Sequence, residues 1–263
     1  EVATVCQLTC PSAASVDYPV AARGAKVVLT GTGFANMTSV TIGGVAQPFV
    51  IDAATTLTIP SVADGTPLGA QTVVASSNTG STTPVAVTVI DLLINELDSD
   101  QTGTDTKEFV EVATGVPNVS LNGYSLVLFN GGNDSSYSVV SLNGVTTNAS
   151  GLAVIGNAGV SPAPSKTFGD NLLQNGADAV ALYQGGFASG AAPAEAGLID
   201  ALVYDTNDAD DAGLLVLTLD AIQVNESTIS RSLKRCGAGR RLGARFVAAT
   251  VPSPGAANGV TCQ

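Results

Sequence analysis

Short runs in which β-branched or other apolar residues alternate with polar ones recur along the chain, separated by Gly, Pro, Asn and Asp. In the first part they are Lys26–Thr30, Ser39–Ile42, Thr56–Ile59, Gln71–Val74 and Val85–Ile90. Further on come Phe109–Val112, Tyr124–Phe129, Tyr137–Val140, Ala153–Ile155, Ala179–Tyr183 and Leu198–Tyr204. A side-chain period of two marks a half-buried strand, and a spacing of about ten residues between runs predicts an all-β sandwich. No convincing amphipathic helix is present. Asp211–Ile222 comes nearest, but its Val216–Leu219 centre suits a strand equally well. Gly185–Gly197 and Ser161–Ser165 read as loops.

Composition narrows the class. Of 263 residues, 45% are hydrophobic but only 5% aromatic, so the core is built from Val, Leu, Ile and Ala. Charged residues are 12%, about half the usual quarter, which argues against a charge-rich disordered chain or a coiled coil. The chain contains no His, which removes Ser-His-Asp and Cys-His catalysis, His-ligated zinc and His general bases together. A formal charge of −12 opposes nucleic acid as a partner. No stretch is long and apolar enough to predict a membrane span. No basic-then-apolar leader opens the chain, so Glu1 reads as the start of a processed product.

The cysteines are Cys6, Cys10, Cys236 and Cys262, without zinc-ribbon spacing. An even number near the two ends reads as terminal staples in an oxidising compartment, extracellular or at the cell surface. Four cysteines allow three connectivities. Cys6–Cys10 with Cys236–Cys262 is favoured because each closes a short local loop, and buried free thiols are the plainer alternative. Five Asn-x-Ser/Thr triplets, at Asn36, Asn118, Asn133, Asn148 and Asn225, become glycan acceptors where the chain is secreted through a glycosylating pathway.

Residues 11–91 resemble an IPT/TIG domain, an immunoglobulin-like fold. Pro11, Gly24–Phe34, Val40–Val45, Thr58–Pro60, Gly69–Val74 and Val85–Ile90 carry the resemblance. Gly31 and Gly33 would permit the tight turn after a buried strand, Phe34 would plug the end of the sandwich, and Gly43-Gly44 would form a positive-φ hairpin turn. Residues 92–263 resemble a bacterial-type lamin-tail domain, another immunoglobulin-like sandwich. The carrying segments are Leu93–Asp98, Gly103–Glu111, Leu121–Leu126, Val154–Gly156, Leu173–Val180, Asp200–Tyr204 and Val251–Asn258. Such domains accompany secreted bacterial nucleases and other surface proteins, and form the tail of nuclear lamins. The chain carries neither a nuclease domain nor a coiled-coil rod, so neither partner's activity transfers. The expected architecture is two tandem immunoglobulin-like sandwiches, preceded by a 1–10 extension that could add a strand to its own sheet or to a neighbour's. The direct run from Val89 to Leu93 predicts a stiff junction.

Three constellations bear on chemistry. Glu96, Asp98, Asp100, Asp105, Glu108 and Glu111 form the densest acidic group. Asp98-x-Asp100-x-Thr102-Gly103 imitates the opening of a calcium loop, but position twelve is Phe109 and Glu108 stands at eleven, so an EF-hand is not predicted. A looser calcium site at Asp98, Asp100, Asp105 and Glu108 competes with a solvated acidic hairpin. A second acidic run offers Asp205, Asp208 and Asp210 to calcium, against the reading of an Asx-rich turn. Paired carboxylates also suggest a glycosidase, but without Trp and with five Tyr the sugar-stacking surfaces are scarce. Finally, Arg231, Lys234, Arg235, Arg240, Arg241 and Arg245 gather six of the ten basic residues. They could meet nucleic acid, the acidic loops of another copy, or their own acidic loop.

The function expected is a secreted, non-catalytic structural or adhesive subunit, self-associating into a fibre or surface assembly, with no resident cofactor unless calcium binds. Further copies of the chain and glycans are its expected partners. A calcium-dependent binding or targeting module of a secreted enzyme system is the alternative.

Overall fold

The computed structural model describes residues 10–226 and 231–262. The 1–10 extension, apart from Cys10, falls outside the described residues. The chain is all-β and divides into two compact units, Glu1–Asp91 and Leu92–Gln263.

The first unit contains β1 (Ser12–Val16), β2 (Val20–Ala22), β3 (Val27–Thr32), β4 (Ser39–Ile42), β5 (Val45–Ala46), β6 (Val50–Ala53), β7 (Thr56–Ile59), β8 (Gly69–Ser77), β9 (Gly80–Ser81) and β10 (Val85–Ile90). One sheet has the order β1-β3-β7-β6, and the other β2-β10-β8-β4-β5 with β9 beside β8. Alternation explains the core. Val27 and Leu29 of β3 and Leu57 and Ile59 of β7 point inward to meet Val40, Ile42, Val73, Val87 and Val89 of the facing sheet. Phe34, fully buried in a 3₁₀ turn, fills one end of this core. It follows Gly33, whose φ of 76° favours glycine. Gly31 is needed for space: a Cβ there would overlap the Ser12 carbonyl oxygen and the Phe34 ring. Gly43 and Gly44, at φ 57° and 82°, make the two-residue turn joining β4 to β5.

The second unit contains β11 (Leu93–Asp98), β12 (Phe109–Ala113), β13 (Tyr124–Asn130), β14 (Ser135–Ser141), β15 (Leu152–Gly156), β16 (Lys166–Thr167), β17 (Asp178–Gln184), β18 (Leu198–Asp205), β19 (Gln223–Asn225), β20 (Ser232–Arg235) and β21 (Phe246–Ala249). One sheet runs β16-β15-β12-β11-β20-β21 and the other β14-β13-β17-β18-β19. All eight residues of β18 are buried. This sheet is covered on both faces: one carries Val127, Phe129, Ala181, Tyr183 and Val203 beneath Phe187, Leu214 and Leu217. Leu214 and Leu217 of that cover come from the segment of ambiguous periodicity, which folds as a 3₁₀ turn over Leu214–Leu217, and Phe187 comes from the 185–197 loop.

A disulfide joins Cys236 to Cys262 across a sequence separation of 26. Cys10 is also disulfide-bonded, while Cys6 lies outside the described residues.

Phe34→Ala is expected to lower the stability of the first unit by about 3–5 kcal/mol, because the end of the core is left empty. Chemical denaturation measures it, and a loss below about 1 kcal/mol contradicts this packing. Replacing Cys236 and Cys262 by Ser lowers the second unit's stability by about 2–4 kcal/mol through loop entropy. A melting curve that does not shift would contradict this.

Candidate functional site

The acids singled out in the sequence separate into two kinds once the second unit folds. The first kind consists of clamps. Glu108, fully buried, accepts the Leu172 N–H at 2.9 Å, the Leu173 N–H at 3.0 Å and the Asn157 amide at 3.3 Å. Glu96 accepts the Ser253 N–H and hydroxyl at 2.9 and 2.8 Å, with Lys234 Nζ 3.7 Å away. Glu111 accepts the Gly255 N–H and the Asn95 amide. Asn258 donates to the Asn95 and Arg235 carbonyl oxygens, each at 2.9 Å. The tail 253–258 is therefore strapped across β11 by buried polar groups. Glu108 must be removed from the calcium ligands proposed above, because its oxygens already hold a loop. Asp105 is likewise engaged: its Oδ1 accepts the Gln101 N–H at 2.8 Å.

The second kind has oxygens left over. Asp98, 4% exposed at the end of β11, accepts one bond from Gln101. Asp205, 1% exposed at the end of β18, accepts from Gln223 through Oδ2 and has no partner at Oδ1. Glu226, just past β19, is fully buried, and neither oxygen has a hydrogen-bond partner among the described residues. Asp100 is half-buried. Burial first, then the charges of Asp98, Asp100 and Asp205, push the Glu226 carboxyl up to about 8. Asp98 is pushed up to about 7, mainly by burial. The two acidic loops expected to act separately thus share one electrostatic neighbourhood. Asp208 and Asp210 are exposed, and Asp211 accepts the Gly213 and Leu214 N–H groups, as an Asx turn does. Among the described residues, no three acidic side chains are already gathered around one point as a metal site. Sequence reasoning missed Glu226: isolated between Asn225 and Ser227, it carries no local signal, and only the pairing of β19 with β18 brings it to Asp205.

The basic group is not the exposed patch that self-association required. Lys234 and Arg235 are buried. Arg235 pairs with Asp200, donates to the carbonyl oxygens of Ile94 and Gly239, and stacks 4.5 Å from the centre of the Phe246 ring. Arg241 donates to the Leu217 carbonyl at 2.7 Å, and its Nη2 meets Glu195 at 3.2 Å. Arg240 donates to the Ile199 carbonyl oxygen at 3.4 Å, Arg231 is half-buried, and Arg245 is exposed. The two most central members, Lys234 and Arg235, are consumed inside their own sandwich and are not presented to another copy.

A cavity of about 410 Å³ opens beside β11 and β12, lined by Asp98, Gln101, Lys107, Phe109, Val160 and Pro252 among others. All five triplet asparagines are exposed; Asn148 is also bonded through its side chain to Ser150 and Leu152. No helix among the described residues is long and apolar enough to cross a membrane.

No protein-family model matches the chain, and no curated protein matches it. Among solved structures, it is similar to SGBP-B from a complex xyloglucan utilization locus in Bacteroides uniformis, at 13% identity over 45% of this chain and 46% of that one, with a TM-score of 0.26. It is also similar to the SGBP-B of the Bacteroides ovatus mixed-linkage glucan utilization locus in complex with a mixed-linkage heptasaccharide. That match has 16% identity over 67% and 40% of the two chains and a TM-score of 0.27. A third is Gamma-CGTASE from Alkalophilic bacillus clarkii, at 11% identity over 82% and 28%, with a TM-score of 0.28. The chain spans less than half the length of each. Superpositions at this level carry no inference about function.

The clamps give the second unit a pH dependence. Glu111 is pushed up to about 7, chiefly by burial and also by Glu96, against the lowering effects of Asn95, Gly255 and Lys234. Its folded value exceeds its ordinary one of 4.5, so the folded state holds the proton more tightly. Its stability contribution is complete below about pH 4.5 and lost as pH rises through about 7. The melting temperature of the second unit therefore falls across that window, and Glu111→Gln flattens the fall. Melts in a buffer series check this, and a melting temperature that rises through the window would contradict it.

Proposed function

We propose that the chain is a secreted, non-catalytic structural or adhesive subunit that self-associates through an open sheet edge. The observation that carries this reading is β14. It lies at the end of its sheet, bonded to β13 on one side, and its seven residues, Ser135 to Ser141, include no charge and no Pro. Edge strands of monomeric proteins are commonly blunted by Lys, Pro or a cover, since an unpaired row of N–H and C=O groups is a template for another strand. Here the 188–191 loop caps only the start: Ser136 donates to the Ala191 carbonyl and accepts from the Gly190 N–H. A second support is apolar surface: Val216, Leu219 and Ile222 are 58%, 67% and 39% exposed within one short segment. Apolar surface concentrated in this way suits a protein contact.

The resemblances to IPT/TIG and bacterial-type lamin-tail domains support the reading, since such modules accompany surface proteins. The disulfide and the glycan-acceptor triplets suit an extracellular setting. The contact is a strand added to a strand, in place of the basic surface expected from the sequence.

Ser138 and Val140 lie opposite the fully buried Leu128 and Leu126 of β13 and share their face, and Val139 packs on the other, whereas Ser135 and Ser141 at the two ends of β14 reach solvent. The Ser135→Lys, Ser141→Lys double variant places a cation at each end of the edge strand without entering either covered face. Sedimentation velocity and negative-stain images should show concentration-dependent oligomers or fibres for the natural chain and single protomers for the variant. A natural chain that stays a protomer at every concentration and salt overturns the proposal.

A further inference from the structure

The unpartnered oxygens of the second unit cluster at one end of the sandwich. Among the described residues, Glu226 leaves both carboxylate oxygens without a donor although it is fully buried, and Asp205 leaves Oδ1. The backbone brings these two together: β19 runs parallel beside β18, and the Glu226 N–H donates to the Asp205 carbonyl at 3.0 Å. β11 packs against β18 and delivers Asp98 to the same end, followed by Ser99 and Asp100. Glu226 lies within the electrostatic reach of Asp98, Asp100 and Asp205. The hydroxyls of Ser99 and Ser232 are also buried without partners. Ser232 stands one step beyond the Leu97–Leu233 pair of β11 and β20, the register position opposite Asp98.

A buried carboxylate with no donor costs several kcal/mol, and like charges around it raise the cost. The clamps show how this chain treats carboxylates that hold its fold together, for each is surrounded by N–H donors. Around Glu226 the charged groups that act on it are other carboxylates. A proton relieves one oxygen, whereas a divalent cation relieves several at once. An all-oxygen set with neither Cys nor His suits a hard cation. Calcium, which accepts about 6–8 oxygens in irregular arrangements, tolerates ligands from three separate strand ends. The arrangement is open, with no three acids yet gathered at one point among the described residues. The half-buried Asp100, at the start of the 100–107 loop, is the member with room to move in. Asp98 also lines the 410 Å³ cavity, which gives an ion a path from solvent.

We propose that Asp98, Asp100, Asp205 and Glu226 form one calcium site that ties the end of β11 to the ends of β18 and β19. It replaces the two separate loop sites suggested by the sequence, uses an acid that neither loop contains, and omits Asp105, Glu108, Asp208 and Asp210. It is independent of strand-edge self-association.

The test is calorimetry and thermal melting of the full chain in calcium chloride at mildly alkaline pH. The expected result is one calcium per chain and a rise in melting temperature that EGTA reverses, with magnesium weaker. Glu226→Gln should weaken calcium binding at least tenfold. Without calcium it should melt no lower than the natural chain, since the neutral amide removes a buried unpaired charge; a simple structural defect would lower that melt. Asp100→Asn, at a half-buried loop position, should weaken binding in a folded background, and Asp208→Asn should leave it unchanged. The proposal is overturned if calcium up to roughly ten millimolar, beyond the weak range of extracellular calcium modules, yields neither heat nor a shift. That outcome would assign the site to protons. Retention of the full calcium response by Glu226→Gln with Asp100→Asn overturns it equally.

Discussion

The second unit depends on one buried charge pair that joins its two sheets. Asp200, on β18 of one sheet, accepts the Ile94 N–H of β11 in the other and pairs with the guanidinium of Arg235 on β20. It also accepts the Arg241 N–H. Arg235 spends its remaining donors on the Ile94 and Gly239 carbonyls. A buried pair offsets its desolvation only when its lone pairs and protons find partners, and here both Asp200 oxygens and all three guanidinium nitrogens of Arg235 are engaged. Removing one member would strand the other in the core, a loss of about 3–5 kcal/mol. The pair is therefore less a source of net stability than a condition of register: the sheets can meet only where these groups face each other.

The same accounting governs the clamps. Glu96, Glu108 and Glu111 are buried, yet each points at backbone N–H groups that strands leave unpaired where the chain turns away. With 5% aromatic residues, the unit cannot hold its tail with large rings. It uses carboxylates and a disulfide instead. Burial raises the proton affinity of Glu108 and Glu111, so the polar scaffold that orders the tail also makes it sensitive to pH.

Against that background the group around Glu226 is the exception. Glu226 lies within the electrostatic reach of Asp98, Asp100 and Asp205, and among the described residues its oxygens meet no donor, while Asp98 and Asp205 each keep one amide donor. The open edge at β14 is an exception of another kind, since its unmet groups belong to the backbone. Among the described residues, both are places where the fold leaves polar groups without partners, buried carboxylate oxygens in one case and edge backbone in the other.

Local alternation determined the strands. Each of the alternating runs read from the sequence lies on an observed strand, because period-two patterning needs only neighbouring residues to be legible. The glycine turns were equally local. Ser12–Val16 and Ser232–Arg235 were not read as strands: the first has little apolar character, and the second carries Lys and Arg. They are strands because partners elsewhere, β3 and β11, complete their hydrogen bonds. Charge was least legible. Sequence suggested an exposed basic surface and two separate acidic loops. The fold buried the centre of the first against Asp200 and Glu96 and merged parts of the second through Glu226. Whether a charge is surface or core depends on a counter-group or donor that here lies 35 to 157 residues away. No local pattern records that distance, so only the tertiary structure could decide it.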